Sequence, residues 1–151
     1  MASGILQGEY KEYLWNVDAH VGPGCPNKVD DVNRVQMGLV AMSKKGTEPA
    51  DKAALAGVKL GAPYTGRAAD PLTLAIKYIQ KRRSGPQDGR ASPARYVAML
   101  GEASGTWMIT VFARYIRGEL KDNWPRLEKW PGCPPALLAA SRKMFIDRMD
   151  I

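Results

Sequence analysis

Apolar residues recur at helical spacing in two stretches of this chain. In "NKVDDVNRVQMGLVAMSKKG", Val32, Val35, Leu39 and Met42 stand at i, i+3, i+7 and i+10, one face of a 3.6-residue period. Asn27 is the expected N-cap, and Asp30 and Asp31 suit the positive end of the helix dipole. Lys44, Lys45 and Gly46 close the helix. In "DPLTLAIKYIQKRR", Leu72, Ala75, Ile76 and Ile79 form the buried stripe. Asp70 can cap, and Pro71 fits the first turn, where its missing N–H costs nothing. The run Lys81-Arg82-Arg83 complements the dipole at the far end, or grips an anion.

The rest of the chain carries weaker patterns. "EYKEYLW" reads as a short helix or as an extended strap whose aromatics, Tyr10, Tyr13 and Trp15, pack on the body. "GVKLGAPYTGRAA" is glycine-rich, and predicts a short extended segment and an exposed turn at Tyr64 to Arg67. "SGPQDGRASP" reads as a loop. "SPARYVAML" predicts a short helix with Ser92 as cap and Pro93 at its first position. "TWMITVFARYIRGEL" has β-branched residues that suit a strand. Its apolar set Met108, Val111, Phe112 and Tyr115 suits a helix better, with Gly118 as the stop. "DNWPRLEKW" predicts one or two helical turns. "PPALLAASRKMFIDRM" predicts a last helix with Leu138, Ser141, Phe145 and Met149 on one face. The expected class is all-α, a small helical bundle.

Length and composition limit the organisation. The 151 residues suit one domain, and a hydrophobic fraction of 45% can build a core. We divide it into a strap (1–26), a core (27–100) and a helical extension (101–151) packed on that core. The formal charge of +7 favours anionic partners, although many soluble surfaces carry as much. No stretch approaches the roughly 20 apolar residues of a membrane span. The start "MASGILQGEYKEYLW" has neither a basic leader nor a long apolar run. We therefore expect a protein made in the cytoplasm, exported only by a dedicated machine or by lysis.

Both cysteines sit in Gly-Cys-Pro, at "GPGCPN" and "PGCPP". Each precedes an expected helix, so the plain reading is a small apolar residue at a helix entrance. Zinc would need four ligands, and the soft ligands here are Cys25, Cys133 and His20. A thiol catalyst would need His20 as its base. A disulfide requires the two cysteines to meet. No phosphate-cradling G-x-x-x-x-G-K-[ST] loop is present, and a single histidine rules out H-E-x-x-H. Glu9, Glu12 and Glu102 are of the right type for glycoside cleavage, but no spacing marks a pair. We expect no enzyme activity, no cofactor and no bound metal.

Two motifs stand together. One is Val32-x-x-Val35-Gln36-x-x-Leu39; the other is Gly66 followed by Asp70-Pro71-Leu72-x-x-x-Ile76-x-x-Ile79-Gln80. The set resembles the peptidoglycan-binding-like domain family, whose pattern is V-x-x-L-Q-x-x-L, a glycine-rich turn, then a helix ending in A-[IV]-x-x-F-Q. Val35 stands for the usual Leu, Leu72 for Thr and Ile79 for Phe, and a long insert runs from Gly46 to Gly61. Asp88-Gly89-Arg90-x-Ser92-Pro93 resembles the D-G-x-[IV]-x-P turn of such modules. The likeness spans residues 20–100.

This resemblance implies a small bundle with a shallow groove for cell-wall fragments, usually beside a hydrolase. Here the extension instead adds Trp107, Trp124 and Trp130. The implied role is a non-catalytic binder of peptidoglycan, a muropeptide or a related anionic glycan. The other role is an accessory, adaptor or immunity protein with a protein partner. Nucleic acid is not an expected partner. Tyr64 offers a ring face, Thr65 a hydroxyl and Arg67 a two-pronged donor, so we expect these three to bind ligand. For a protein partner we expect Trp124 and Trp130 to form the surface.

Overall fold

The computed structural model describes residues 3–7, 12–46, 48–93 and 108–140. Helix predominates. The elements are β1 (Ser3–Gln7), β2 (Glu12–Asn16), α1 (Val29–Lys45), α2 (Pro49–Leu55), α3 (Pro71–Arg82) and α4 (Met108–Leu120). Single 3-10 turns follow at Lys121–Asn123 and Leu127–Lys129, and residues 135–140 are helical. No helix among the described residues is long and apolar enough to cross a membrane.

The strap is extended rather than helical. β1 and β2 form an antiparallel hairpin in the register Ser3↔Asn16 to Gln7↔Glu12. Trp15 on β2 is buried. Tyr10 lies outside the described residues, as do the expected helix over 94–100, Trp107, and Ser141, Phe145 and Met149.

α1 is the central helix. Val32, Val35 and Leu39 join Leu72, Ala75, Ile76 and Ile79 of α3 in one core cluster. Met37 and Ala41, on its other side, join Trp15, Ile116, Leu120, Leu127, Trp130 and Leu137 in a second. The apolar stripe in the sequence thus marks only one of two buried faces, and every residue from Asp31 to Leu39 is buried. Gly38 makes the crossing with α4 possible: a Cβ there would lie 2.4 Å from Phe112 Cβ. No side chain can occupy that space without moving the helices apart.

Burying α1 also buries a charge. Arg34 is fully enclosed, and burial pulls its guanidinium down to about 9. Its Nη2 donates to the Trp15 carbonyl at 2.8 Å, while Nε and Nη1 find no hydrogen-bond acceptor among the described residues.

Local signals hold at α3 and, for the acidic first turn, basic last turn and Gly46, at α1; the misses have identifiable reasons. Asp70 caps α3 by accepting from the Leu72 N–H at 2.9 Å. Asn27 does not cap α1. Its amide is taken by Gly22, accepting from the N–H and donating to the carbonyl, and Lys28 stands at the cap position. Asp31 turns back to accept from the N–H groups of Asp18 and Ala19, both at 3.1 Å.

α2 falls inside the stretch read as an insert. It buries only Leu55, and Asp51 ties it to α3 by accepting from the Tyr78 hydroxyl and pairing with Arg82. No strand forms over residues 57–69. Gly118 does not stop α4; the left-handed residue is Lys121, at φ 52. In the last helix the buried positions are Leu137 and Ala140, one residue away from the face expected at Leu138. The Trp124–Pro125 peptide is cis.

Candidate functional site: a groove beside the first turn of α1

Two glutamines shape the loops of this fold in the same way. Gln36 reaches from α1, accepting from the Gly61 N–H at 3.0 Å and donating to the Ala62 carbonyl at 2.9 Å. Gln80 reaches from the end of α3, accepting from the Gly89 N–H at 2.9 Å. Its amide donates to Asp88 Oδ1 and the Arg90 carbonyl. A buried primary amide has one acceptor and two donors, so each replaces the pairing a strand would give. These are the glutamines at which both sequence motifs centre.

The Gln80 clamp presents the Asp88–Arg90 turn to the "GPGCPN" loop. Val21 pairs with Ala91, and Arg90 Nε donates to the Pro23 carbonyl at 3.1 Å. A Cβ on Gly22 would lie 2.6 Å from the Gly89 carbonyl oxygen, so only glycine allows this contact. His20 pairs with Ser92 at 3.0 Å, which gives the imidazole a role at this seam.

The Gln36 clamp sets one wall of a groove of about 710 Å³. Leu60 to Tyr64 form that wall, the first turn of α1 with Asn27, Val29, Val32 and Asn33 forms the floor, and residues 132–136 form the opposite wall. The surface is mainly apolar. Pro63, Pro134 and Pro135 all line it, and Val29 is 66% exposed. The polar side chains lining it are two amides, a phenol and a thiol.

Of Tyr64, Thr65 and Arg67, only Tyr64 lines the groove. Its hydroxyl meets Thr73 Oγ1 at 2.7 Å and is therefore already engaged. Thr65 Oγ1 donates to Asp70 Oδ2 at 2.9 Å and accepts from the Arg67 N–H. That hydroxyl holds the turn together. Arg67 is exposed beside the groove.

Trp124 and Trp130 lie close in sequence to the opposite wall. Trp130 is 5% exposed, and Lys44 Nζ sits 5.0 Å from its ring centroid. Trp124 is half-buried, and its indole N–H has no acceptor among the described residues. Trp130 thus backs the wall rather than forming an exposed surface, while Trp124 stays partly accessible.

Both cysteines are free, and neither is fully buried. Cys133 lines the groove, where burial, and then Glu128, push its thiol up to about 11. Burial also raises Cys25, with Arg90 opposing. Both thiols are therefore protonated at neutral pH.

No pattern in the sequence indicates that Pro134, Pro135 and Leu60 share one surface. The nearest signal was the second Gly-Cys-Pro, which places a rigid corner ahead of a helix. Comparison with known proteins yields no matching family model, no matching curated protein and no matching solved structure.

Proposed function

We propose that this protein is a non-catalytic binding module that holds a peptidoglycan fragment, a muropeptide, in the groove between Leu60–Tyr64 and residues 132–136. The bundle is then of the peptidoglycan-binding-like type, with added C-terminal helices. The observation that carries this reading is the paired glutamine clamp. Gln36 and Gln80, the fixed points of the motif resemblance, hold the two loops that such a module would need rigid. The Tyr64 ring and the apolar walls offer faces for sugar rings and alanine methyls. Arg67 stands exposed next to them as a planar donor for a stem-peptide carboxylate.

The test is co-sedimentation with purified sacculi. Ala136→Trp fills the groove from the last helix, and binding should drop by about tenfold or more. Arg67→Lys keeps the charge and loses the fork, so affinity should fall by roughly tenfold, with folding unchanged. A native protein that stays in the supernatant would end this reading.

A second reading is favoured by one feature, the exposed apolar side chain of Val29 in the groove. An accessory or adaptor protein would use the same groove for a proline-containing or apolar peptide segment of a protein partner. Ala136→Trp would then block that partner, while Arg67→Lys would leave it bound.

A further inference from the structure

The groove holds one polar side chain that the fold leaves unused. Asn33 stands on its floor, four residues after Val29 and so on the same face of α1. It is 4% exposed, yet its carboxamide has no hydrogen-bond partner among the described residues. Unlike the Arg34 nitrogens, neither of its amide atoms is sealed off, so the surface it keeps opens on the groove. The other polar side chains there are engaged. Asn27 exchanges two bonds with Gly22, the Tyr64 hydroxyl meets Thr73, and the Cys133 thiol lies 3.9 Å from the Pro134 carbonyl oxygen. Much of the wall backbone is engaged as well. The Gly61 N–H and the Ala62 carbonyl go to Gln36, and the Ala62 N–H goes to the Lys59 carbonyl. Pro63, Pro134 and Pro135 have no N–H to give.

A nearly buried amide without a partner costs stability, and a leucine of similar shape would avoid that cost. Helix propensity points the same way. The fold gains nothing from asparagine at this position, so its use lies with what enters the groove. We propose that Asn33 reads the main chain of an extended peptide, Oδ1 accepting an N–H and Nδ2 donating to a carbonyl. Gln36, three residues further along α1, makes the same exchange with Gly61 and Ala62. This rests on the groove being the muropeptide site, and it gives the floor to the stem peptide rather than to the sugars. A sugar ring carries hydroxyls around its rim, and one free carboxamide cannot satisfy them. A peptide of small residues brings methyl groups to the apolar walls and needs few polar contacts to fix its register.

The experiment titrates the full chain with three soluble probes: a muropeptide, its stem peptide alone and its disaccharide alone. The stem peptide should bind within about tenfold of the muropeptide, and the disaccharide more than about tenfold below it. A second series replaces one amide of the stem peptide by an ester, at each position in turn, which keeps the shape and removes one N–H. One ester should bind the native chain about tenfold more weakly than its parent. Asn33→Leu should bind that ester and its parent equally, with a melting temperature that holds or rises. The ester series reads the contact in the native protein, whether or not the variant folds. Sacculus binding with no preference for amide over ester at any position would overturn the role of Asn33 alone. Disaccharide binding as tight as that of the muropeptide would do the same. A native protein that takes neither sacculi nor any probe would overturn it together with the muropeptide reading of the groove.

Discussion

The indole N–H of Trp15 donates to the carbonyl of Pro125 at 2.8 Å, across 110 residues of sequence. The carbonyl of the same residue accepts from Arg34. Trp15 is therefore bonded on one side to the central helix and on the other to the turn that leads to the groove's far wall. One residue of the hairpin joins the first and last parts of the described fold.

Trp15→Phe keeps most of the ring and removes the donor, leaving the Pro125 carbonyl without this partner. Stability should fall by about 1–3 kcal/mol, from the lost hydrogen bond and the smaller ring. Urea denaturation followed by far-UV circular dichroism measures this. A change under about 0.5 kcal/mol would mean that the hairpin contributes little to holding the C-terminal part.

The two glutamine clamps differ in what they support, and paired variants separate them. Gln36→Leu leaves the Gly61 N–H and the Ala62 carbonyl unpaired, and Gln80→Leu does the same to the Gly89 N–H and the Arg90 carbonyl. Each should cost about 1–3 kcal/mol per group left unsatisfied. Only Gln36→Leu should also lower affinity for whatever occupies the groove, because only that clamp sets a groove wall. Matched affinity losses in variants shown to be folded would place the binding site elsewhere.

Asp51 makes the attachment of α2 sensitive to acid. The hydrogen bond from Tyr78, and then the Arg82 guanidinium, hold its carboxyl below the usual range. A carboxyl lowered on folding stabilises the fold above its unfolded value, about 3.9. That stabilisation is lost as the pH falls through the folded value. Amide exchange in α2, corrected for intrinsic rates, should therefore speed up below about pH 4 while α1 stays protected. Asp51→Asn should give fast exchange at neutral pH and remove the pH dependence. An α2 that stays protected in acid would show that Leu55 alone holds it.

Cys133 should be a slow nucleophile. With its thiol pushed up to about 11, its thiolate at neutral pH is lower by about a hundredfold than at an ordinary cysteine. Alkylation by iodoacetamide, located by mass spectrometry, should mark Cys25 before Cys133, and urea should erase the difference. Faster labelling of Cys133 in the folded protein would contradict its described surroundings.

The parts that were legible in sequence are those governed by near neighbours. Asp70, Pro71 and the stripe from Leu72 to Ile79 lie within about three turns of chain, and α3 begins, ends and buries as they indicate. α1 was legible as a central helix but with one buried face, since its second exists only because α4 and Trp15 of β2 pack there. Asn27 has the right chemistry for a cap, yet Gly22 offers it two bonds instead of one. α2 has one buried apolar residue, so periodicity had nothing to detect, and its support comes from Tyr78 and Arg82 on another helix. The groove was half visible. Tyr64 was found because it stands in a glycine-rich turn. The wall at residues 132–136 was not, because what brings it to Tyr64 is Trp130 in the second core cluster and Trp15 holding Pro125.

The groove's two walls have no covalent link between them shorter than the chain from Tyr64 to Gly132. A molecule lying against both therefore acts as a crosslink between distant parts of the sequence. By mass action, its binding energy adds to whatever keeps residues 132–136 seated. Occupancy of the groove and docking of the C-terminal wall then belong to one equilibrium. A protease that cuts near Gly132 would report on the ligand as directly as a binding assay does.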